Sequence, residues 1–279
     1  MTEKLQRTSD EWKALLKQNR IKPTKSMGQN FLTETAVVEE IVEFAEIGAD
    51  DLVIEIGPGM GILSREILAT GAHLTAVELD RELAALLRKE LANQPSFTLV
   101  EQDARYIEPE ELTAGKPYQV AANLPYSVAT VILRNLMESK HPPTRMTVMV
   151  QKEVAERMTA EPGDMSLLGL ATDLYADANI VMIVPPGVFT PPPKVESAVV
   201  RMDTRPELRG THDQRERMFE LATMAFQRKR KTLSNGLSMG LDRPKKELDE
   251  VLTGIEIDPM RRPQTLNVDE WLRIAEALP

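Results

Sequence analysis

The chain has 279 residues, a length that suggests one large or two smaller domains, and its formal net charge is −9. It contains no Cys, which excludes disulfides and Cys-ligated zinc, and its three His residues lie far apart in the sequence, so we expect no metal. The N-terminus lacks the core of a signal peptide and no apolar run is long enough to span a membrane, so we expect a soluble, cytoplasmic protein.

Helices and strands alternate in the first three quarters of the chain, and this alternation predicts a doubly wound, mainly parallel α/β sheet. The first two predicted helices cover residues 11–19 and 35–44, and Thr33 or Thr35 is expected to cap the second. The elements predicted after them are strand 52–56, helix 62–69, strand 72–77, helix 81–91, strands 97–100 and 120–122, helix 127–137 capped by Ser127, strand 146–150, helices 152–158 and 167–175, and strands 179–184 and 195–202.

The pattern changes after residue 204, where only helices are predicted. The last two strands are expected to be an antiparallel pair joined by a Pro-rich loop. We place a domain boundary near residues 203–208, which divides the chain into domains 1–205 and 206–279. The predicted helices of the second domain cover residues 214–226, 231–237, 245–252 and 268–277.

A glycine-rich turn, Gly57-Pro58-Gly59-Met60-Gly61, joins a buried strand to a helix. Glycines at this point let the backbone approach a ligand closely, and a helix N-terminus follows. The spacing is G-x-G-x-G rather than the G-x-G-x-x-G of dinucleotide folds, which disfavours a nicotinamide oxidoreductase. The compact form resembles motif I of class I methyltransferases that use S-adenosylmethionine. A tight turn without a ligand is the alternative.

Two carboxylates follow the next two strands. Glu78 can accept hydrogen bonds from both hydroxyls of a ribose, and Asp103 can accept from an adenine amino group. Each alone would be interpreted as a solvated loop carboxylate. Together with Asn123 at the end of the fourth strand, they would lie on the carboxyl edge of one parallel sheet, where open α/β folds bind ligands.

The stretch Asn123-Leu124-Pro125-Tyr126 can bind a planar amine. The Asn amide oxygen and a nearby backbone carbonyl accept its two protons, Pro125 fixes that backbone, and the Tyr126 ring stacks on the base that carries the amine. The tetrapeptide resembles the catalytic motif of adenine-N6 methyltransferases. The alternative is a strand followed by an ordinary turn.

Basic residues stand in two clusters against an acidic chain. Residues 13–25 carry five basic side chains and no acidic one, and residues 228–246 carry seven against Asp242 alone. Such clusters can meet a phosphate backbone locally with a salt-dependent affinity, although solvated helix faces are the alternative. The candidate RNA-binding residues are Lys22, Lys25, Arg228, Lys229, Arg230 and Lys231.

Further motifs point to one family. The segments 25–32, 151–157, 189–198 and 226–233, in this order with the glycine turn and the tetrapeptide, resemble those of the KsgA-type small-subunit rRNA adenine N6,N6-dimethyltransferases. The first contains Gly-Gln-Asn-Phe-Leu and the third resembles the family's Phe-x-Pro-x-Pro-Lys-Val-x-Ser motif. Ala122 and segment 165–169 depart from the family pattern, so the contacts of that second segment are less secure.

The resemblance implies a class I methyltransferase fold of the Rossmann-like type, with a mainly parallel sheet and a small, all-helical, RNA-binding C-terminal domain. It also implies S-adenosylmethionine as cofactor. Around the cofactor, the resemblance implies that Asn30 and Leu32 close over it, that Gly57 and Gly59 leave room for its methionine moiety, and that Glu78 binds its ribose and Asp103 its adenine. At the acceptor, it implies that Asn123 and the Leu124 carbonyl bind the target amine, while Tyr126 and Phe189 stack on the two faces of the target base. From the residues alone, Phe189 on its Pro-rich loop is either a stacking platform or a core anchor for that loop.

The expected reaction is dimethylation of two adjacent adenosines near the 3′ end of small-subunit (16S) rRNA in the immature subunit. Two alternatives stay open beside it: a resistance methyltransferase that acts on large-subunit rRNA, and a ribosome-assembly factor whose main role is binding. Leu124 before the Pro and the basic C-terminal region argue against the first. We expect a monomer.

Overall fold

The structure is a computed structural model that describes residues 7–24, 28–228 and 230–279. The nine strands are β1 (Phe31–Leu32), β2 (Leu52–Ile56), β3 (His73–Glu78), β4 (Phe97–Glu101), β5 (Gln119–Asn123), β6 (Arg145–Gln151), β7 (Ala176–Val184), β8 (Phe189–Thr190) and β9 (Ser197–Thr204), all within these ranges. The described α-helices are α1 (Ser9–Gln18), α2 (Thr35–Ala45), α3 (Ile62–Ala69), α4 (Arg81–Glu90), α5 (Pro109–Thr113), α6 (Ala129–Met137), α7 (Lys152–Met158), α8 (Leu167–Tyr175), α9 (His212–Phe226), α10 (Leu233–Leu241), α11 (Lys245–Gly254) and α12 (Val268–Ala277).

Seven of the strands form one mainly parallel sheet in the order β4-β3-β2-β5-β6-β9-β7. Strands β2 to β6 pair in parallel, and β9 runs antiparallel to β6. The central strand β2 has four buried residues out of five, as expected when helices cover both faces of a parallel sheet. The predicted α/β architecture with a helical C-terminal region is therefore confirmed.

A second, two-stranded sheet was not predicted. Its strands β1 and β8 run antiparallel, and Leu32 stands opposite Phe189 in the register. Two residues are too few to give a periodic signal, and the partners are far apart in the sequence. This sheet joins the segment before α2 to the Pro-rich loop before β9.

Both predicted helix caps are wrong. Helix α2 follows Glu34 and α6 follows Val128, and neither of these residues makes a side-chain cap hydrogen bond. Thr33 is engaged elsewhere, because its hydroxyl donates to the Val188 carbonyl (3.1 Å) and accepts from Ser9 (3.1 Å). A hydroxyl that holds two other segments together is no longer available to cap the helix that follows it.

Helix α1 is anchored by a tryptophan between charged groups. Trp12 is 1% exposed, and the guanidinium carbons of Arg7 and Arg65 lie 5.2 and 5.8 Å from the ring centroid. The Glu90 carboxylate binds both guanidiniums, at 2.5 Å for Arg7 and 2.9 Å for Arg65. Such cation–π contacts, together with the buried apolar ring, stabilise the docking of α1 on the residues that follow β2 and β3.

The described residues form two compact units: the residues up to 155 together with Ala178–Thr204, and Glu156–Asp177 together with Arg205–Pro279. The first unit ends at Thr204, one residue before the predicted boundary at 205/206, whereas residues 156–177 pack with the helical unit. The division into domains 1–205 and 206–279 stays a prediction. Met165, Leu170 and Leu174 from this segment belong to the same core as α9 to α12. Within the described ranges, none of the helices combines the length and apolar character that a membrane span requires.

Two glycines of α10 let it approach α9 closely in the helical unit. A Cβ on Gly240 would lie 2.6 Å from the Met224 Cβ, and one on Gly236 would lie 3.3 Å from the Ala225 Cα. Helix α10 therefore packs against α9 with almost no space between the two backbones.

We expect Gly240→Ala to destabilise the helical unit by about 1–3 kcal/mol, because the overpacking outweighs the better helix propensity of Ala. Gly254→Ala is the matched control, since a Cβ there meets nothing within 4 Å, and it should be neutral or stabilising by up to about 1 kcal/mol. Urea denaturation followed by circular dichroism gives both values. Equal stability of the two variants would contradict the close packing described above.

Candidate functional site

A cavity of about 290 Å³ lies at the carboxyl edge of the parallel strands, in the first unit. Strands β3 and β5 flank β2 on opposite sides, and the crevice between such diverging connections is the usual ligand site of an open α/β sheet. The predicted site residues that line this cavity are Asn30, Leu32, Gly57, Gly59, Glu78, Asp103, Asn123, Leu124, Pro125 and Tyr126. The structure therefore brings together all the predicted cofactor residues and the whole tetrapeptide.

The glycine turn forms one wall of the cavity. Gly57 and Gly59 have φ angles of +67° and +58°, in the left-handed region that favours glycine. A Cβ on Gly59 would lie 3.4 Å from the Phe31 ring, and one on Gly57 would lie 3.7 Å from Pro125. The turn thus packs against β1 on one side and against the tetrapeptide on the other.

Glu78 joins the ends of β2 and β3. Its carboxylate accepts hydrogen bonds from the backbone N–H of Gly59 (3.2 Å) and of Asp80 (2.9 Å). Burial raises the pKa of Glu78 above its ordinary value, although these backbone donors oppose the shift. A carboxylate has about four acceptor positions, so oxygen lone pairs remain for a diol.

Asp103 is paired with a residue that the sequence analysis did not single out. Both of its oxygens accept from Arg105, at distances between 2.6 and 3.1 Å, and Arg105 also lines the cavity. These hydrogen bonds hold the pKa of Asp103 below its ordinary value. The sequence signal for this pair was the spacing of two residues between Asp103 and Arg105, because an Asp that caps a short turn can reach the side chain two residues later.

Glu55 is a second functional candidate that the sequence analysis missed. It lies in β2, lines the cavity, is 1% exposed and accepts a hydrogen bond from the Ser64 hydroxyl (2.5 Å). Burial is the main cause that raises its pKa to about 8, and the charge of Glu78 adds to it. A single carboxyl in an otherwise apolar strand was the signal, because acidic residues are rarely fully buried without a reason.

The tetrapeptide is fixed by its backbone and by one side chain. The Leu124 N–H donates to the Met149 carbonyl (3.1 Å), and the Pro125 carbonyl accepts from Val128 and Ala129. The Tyr126 hydroxyl lies 2.6 Å from Ser197 Oγ, and burial raises the pKa of Tyr126. Asn123 is half-buried at the end of β5.

Phe189 is placed differently from the tetrapeptide. Its side chain is 3% exposed, belongs to the hydrophobic core of the first unit, and is not among the residues that line the cavity. In this structure Phe189 occupies the position of a core anchor for the Pro-rich loop. The stacking role that the family resemblance implies for it requires its ring to become accessible, and it stays a prediction.

The predicted RNA-binding residues are only partly described. Lys25 and Lys229 lie outside the described residues, whereas Lys22, Arg230 and Lys231 are exposed. The sequence analysis expected a helix from residue 231, but Arg230 and Lys231 lie in the turn between α9 and α10, after α9 ends at Phe226 and before α10 begins at Leu233. Helix α10 begins only at Leu233 because the backbone of its N-cap residue, Thr232, is extended (φ −66°, ψ 160°).

One group with metal-ligand spacing occurs in the described part of the chain. His212, Asp213 and Glu216 present ligand atoms within 4.8 Å of one another at the start of α9. All three side chains are exposed, and His212 and Glu216 are neighbours on one helix turn. The group lies in the helical unit, whereas every residue that lines the cavity belongs to the first unit.

The cavity suits a nucleoside cofactor. Three carboxyl groups line it: Glu55, which burial keeps protonated at neutral pH, Asp103, which pairs with Arg105, and Glu78, whose oxygens can accept from a ribose. The remaining wall is largely apolar or backbone, as a planar base and a thioether-like chain require. S-Adenosylmethionine carries a sulfonium and an ammonium group beside its ribose and adenine, so the residues fit this compound.

Comparisons with known proteins agree with this geometry. Residues 20–278 match the model of the ribosomal RNA adenine dimethylase family. The chain is 40% identical over 271 residues to "Ribosomal RNA small subunit methyltransferase A" of Alkaliphilus metalliredigens, covering 95% of this chain and 94% of that protein. It is 39% identical over 264 residues to the protein of the same name from Bacillus cytotoxicus, covering 91% and 90%.

Two solved structures share the fold. The 23S rRNA methyltransferase ErmE superposes with a TM-score of 0.70 at 27% identity, covering 89% of this chain and 99% of that one. A dimethyladenosine transferase from Plasmodium falciparum superposes with a TM-score of 0.75 at 24% identity, covering 88% and 95%. The predicted class I methyltransferase fold is therefore confirmed.

The raised pKa of Glu55 predicts a pH dependence of stability. The folded state retains the proton up to about pH 8, whereas the unfolded chain releases it near the ordinary value of 4.5. Stability from this group is thus complete below pH 4.5 and falls by up to about 1.4 kcal/mol per pH unit as the pH rises towards 8.

Glu55→Gln should remove this loss, so the variant gains stability relative to the parent protein between pH 5 and about pH 8. Denaturation midpoints measured across this range give the difference. Glu40→Gln, at an exposed position of α2, controls for the substitution itself. A constant difference between parent and Glu55→Gln at all pH values would contradict a protonated Glu55.

Proposed function

The chain belongs to the ribosomal RNA adenine dimethylase family, and we propose that it transfers methyl groups to N6 of two adjacent adenosines near the 3′ end of small-subunit (16S) rRNA. The product is N6,N6-dimethyladenosine, formed during maturation of the small subunit. The observation that carries this proposal is that one cavity is lined by the tetrapeptide Asn123-Leu124-Pro125-Tyr126, by the glycine turn and by the carboxyl groups of Glu78 and Asp103. An acceptor amine and a methyl donor can meet there.

S-Adenosylmethionine is the proposed cofactor, and when bound it supplies an electrophilic methyl group on a sulfonium. The left-handed turn at Gly57 and Gly59 leaves room for its methionine moiety. Glu78 is proposed to accept hydrogen bonds from the ribose, and Asp103 from the adenine amino group. Asn30, just before β1, and Leu32, in β1, are proposed to cover the cofactor.

Asn123 and the Leu124 carbonyl are proposed to hold the target amine. Each accepts a hydrogen bond from one N–H of the amine, which favours a pyramidal nitrogen whose lone pair is less delocalised into the ring. Pro125 has no N–H to compete for this position and fixes the backbone of the turn. Tyr126 stacks on the target base.

We propose that positioning supplies most of the catalysis. Holding the two reacting atoms in line removes much of the entropic barrier. No base is needed before transfer, because the nitrogen becomes positive and acidic only as the new N–C bond forms and the methyl–sulfur bond breaks to leave a neutral thioether. The amine then loses one proton to solvent. The raised pKa of Tyr126 keeps its phenol protonated, in agreement with a stacking role rather than that of a base.

We propose that the helical unit contributes to RNA binding. Arg230 and Lys231 are exposed in the turn before α10, and Lys22, which belongs to the first unit, is exposed after α1. Arg228 is half-buried and donates to the Met224 carbonyl near the end of α9 (3.4 Å), so it stabilises the turn as well. Positive side chains on one turn can neutralise adjacent phosphates.

The immature small ribosomal subunit is the proposed partner, and we expect the enzyme to act on it as a monomer in the cytoplasm. The similarity to ErmE keeps a large-subunit acceptor as the second candidate, although the identity to the small-subunit relatives is higher, at 40% against 27%. A target base within paired RNA must leave its stack to reach the cavity, which favours a loop or a flexible end.

The deciding experiment is transfer of labelled methyl groups from S-adenosylmethionine to unmethylated small subunits, large subunits and naked rRNA, with the modified nucleoside mapped. Dimethyladenosine at two neighbouring positions near the 3′ end of the small-subunit rRNA is the expected result. Label in large-subunit rRNA would overturn the assignment of the acceptor. Absence of transfer despite cofactor binding would favour an assembly factor.

We expect Asn123→Ala to reduce methyl transfer at least 100-fold while the cofactor dissociation constant changes little, because Asn123 binds the acceptor amine. Glu78→Gln should instead raise the cofactor dissociation constant about 10- to 100-fold, because one acceptor oxygen is replaced by a donor. Calorimetry and labelled transfer measure the two effects.

The control for Asn123→Ala is Asn93→Ala, the same truncation at an exposed turn position, and the control for Glu78→Gln is Glu40→Gln. Near-normal turnover in Asn123→Ala would remove this residue from the catalytic site. Loss of cofactor binding in Asn123→Ala, equal to that in Glu78→Gln, would assign it to the cofactor instead.

The double variant Arg230→Ala/Lys231→Ala should weaken RNA binding and lower the slope of log K against log salt by about 1–2, because up to two phosphate contacts are lost. Lys245→Ala/Lys246→Ala removes the same charge from α11, where both lysines pair with acidic residues at 2.6 and 3.9 Å. The control should leave the slope unchanged. Equal slopes for both double variants would show that only net charge matters.

A further inference from the structure

A buried serine contacts the aromatic residue of the tetrapeptide. Ser197 is the first residue of β9, is 0% exposed, and stands opposite Gln151 of β6 in the register. Its Oγ lies 2.6 Å from the Tyr126 hydroxyl, so a side chain from a strand far along the chain reaches the wall of the cavity. Ser197 is the last residue of the Phe-x-Pro-x-Pro-Lys-Val-x-Ser motif.

The Tyr126 side chain is half-buried, so its orientation is set by packing and by its hydrogen bond to Ser197. The turn after Pro125 is closed by backbone hydrogen bonds, which set the Tyr126 backbone and do not involve its side chain. Helix α6 begins without a side-chain cap, so no capping contact extends to the tyrosine. Within the described ranges, Ser197 is the hydrogen-bond partner of the Tyr126 hydroxyl.

The Tyr126 hydroxyl can bond Ser197 while the residue lines the cavity. The residue lines the cavity while its hydroxyl bonds Ser197, so the hydrogen bond is formed in a position where the ring can meet a base. If the ring turned away, the Ser197 hydroxyl would be left buried without this partner, which is costly. The serine therefore favours one orientation of the ring.

We propose that Ser197 is a positioning residue for the target base, which acts by fixing the Tyr126 ring before the base arrives. The inference rests on the proposed function, because it needs a base to stack on Tyr126. A preorganised ring loses less side-chain freedom when the base binds.

The test is a double-mutant cycle on Ser197→Ala and Tyr126→Phe. Each variant removes one partner of the same hydrogen bond, and Tyr126→Phe keeps the ring. Each should lower kcat/KM for the small-subunit acceptor on the order of tenfold, chiefly through KM, while the cofactor dissociation constant stays within about twofold. The double variant should lose no more than either single variant, since the bond can be lost only once.

Thr147→Val is the matched control. Thr147 lies in β6, beside β9, is 0% exposed, and its hydroxyl has no hydrogen-bond partner in the described part of the chain. The variant therefore removes a buried hydroxyl from the adjacent strand without touching Tyr126, and its kcat/KM should equal that of the parent protein.

Additive losses in the double variant would overturn the proposal, because Ser197 would then act by a route other than Tyr126. An unchanged kcat/KM in Tyr126→Phe would overturn it as well, even if Ser197→Ala proved too unstable to assay. A loss of cofactor binding in Ser197→Ala would assign the serine to the general structure of the cavity. If the parent enzyme transfers no methyl group to small subunits, the proposed function fails first, and this outcome is distinct from all the others.

Discussion

The site depends on the absence of side chains at Gly57 and Gly59. The glycine turn packs against the Phe31 ring on one side and against Pro125 on the other, and the positive φ angles of its two glycines, +67° and +58°, strain any residue that carries a Cβ. Because of this close approach, the turn, the Gln29–Leu32 region and the tetrapeptide form walls of one cavity. The Glu78 carboxylate fixes the arrangement by binding the Gly59 N–H from the neighbouring strand.

The distribution of charge in the molecule is more informative than its net charge. Carboxyl groups gather in the cavity, where burial raises the pKa of Glu55 and Glu78 and a neighbouring guanidinium lowers that of Asp103. The exposed basic residues Arg230 and Lys231 stand on a turn of the helical unit instead. A chain of negative net charge thus still presents a short positive segment to which a polyanion can bind.

Features coded locally were predictable from the sequence, and features that depend on distant partners were not. The boundaries of α3, α8 and α12 follow from apolar periodicity, and the placement of Glu78 and Asn123 at one edge follows from the parallel sheet. The pairing of β1 with β8, the packing of residues 156–177 with the helical unit, and the contact of Ser197 with Tyr126 each join segments far apart in the chain. No local pattern encodes such partners. The cap at Thr33 was predicted wrongly for the same reason, because Thr33 is engaged by Ser9 and Val188.

The two tryptophans of the chain give each unit its own optical probe. Trp12 lies in the core of the first unit between two guanidiniums, and Trp271 lies in the core of the helical unit with its ring 6.1 Å from that of Phe226. A charged environment and an aromatic one perturb indole emission differently, and both rings are at most 1% exposed to water. Variants that retain one tryptophan each would therefore report the unfolding of one unit at a time, so the cooperativity between the units becomes a measurable quantity.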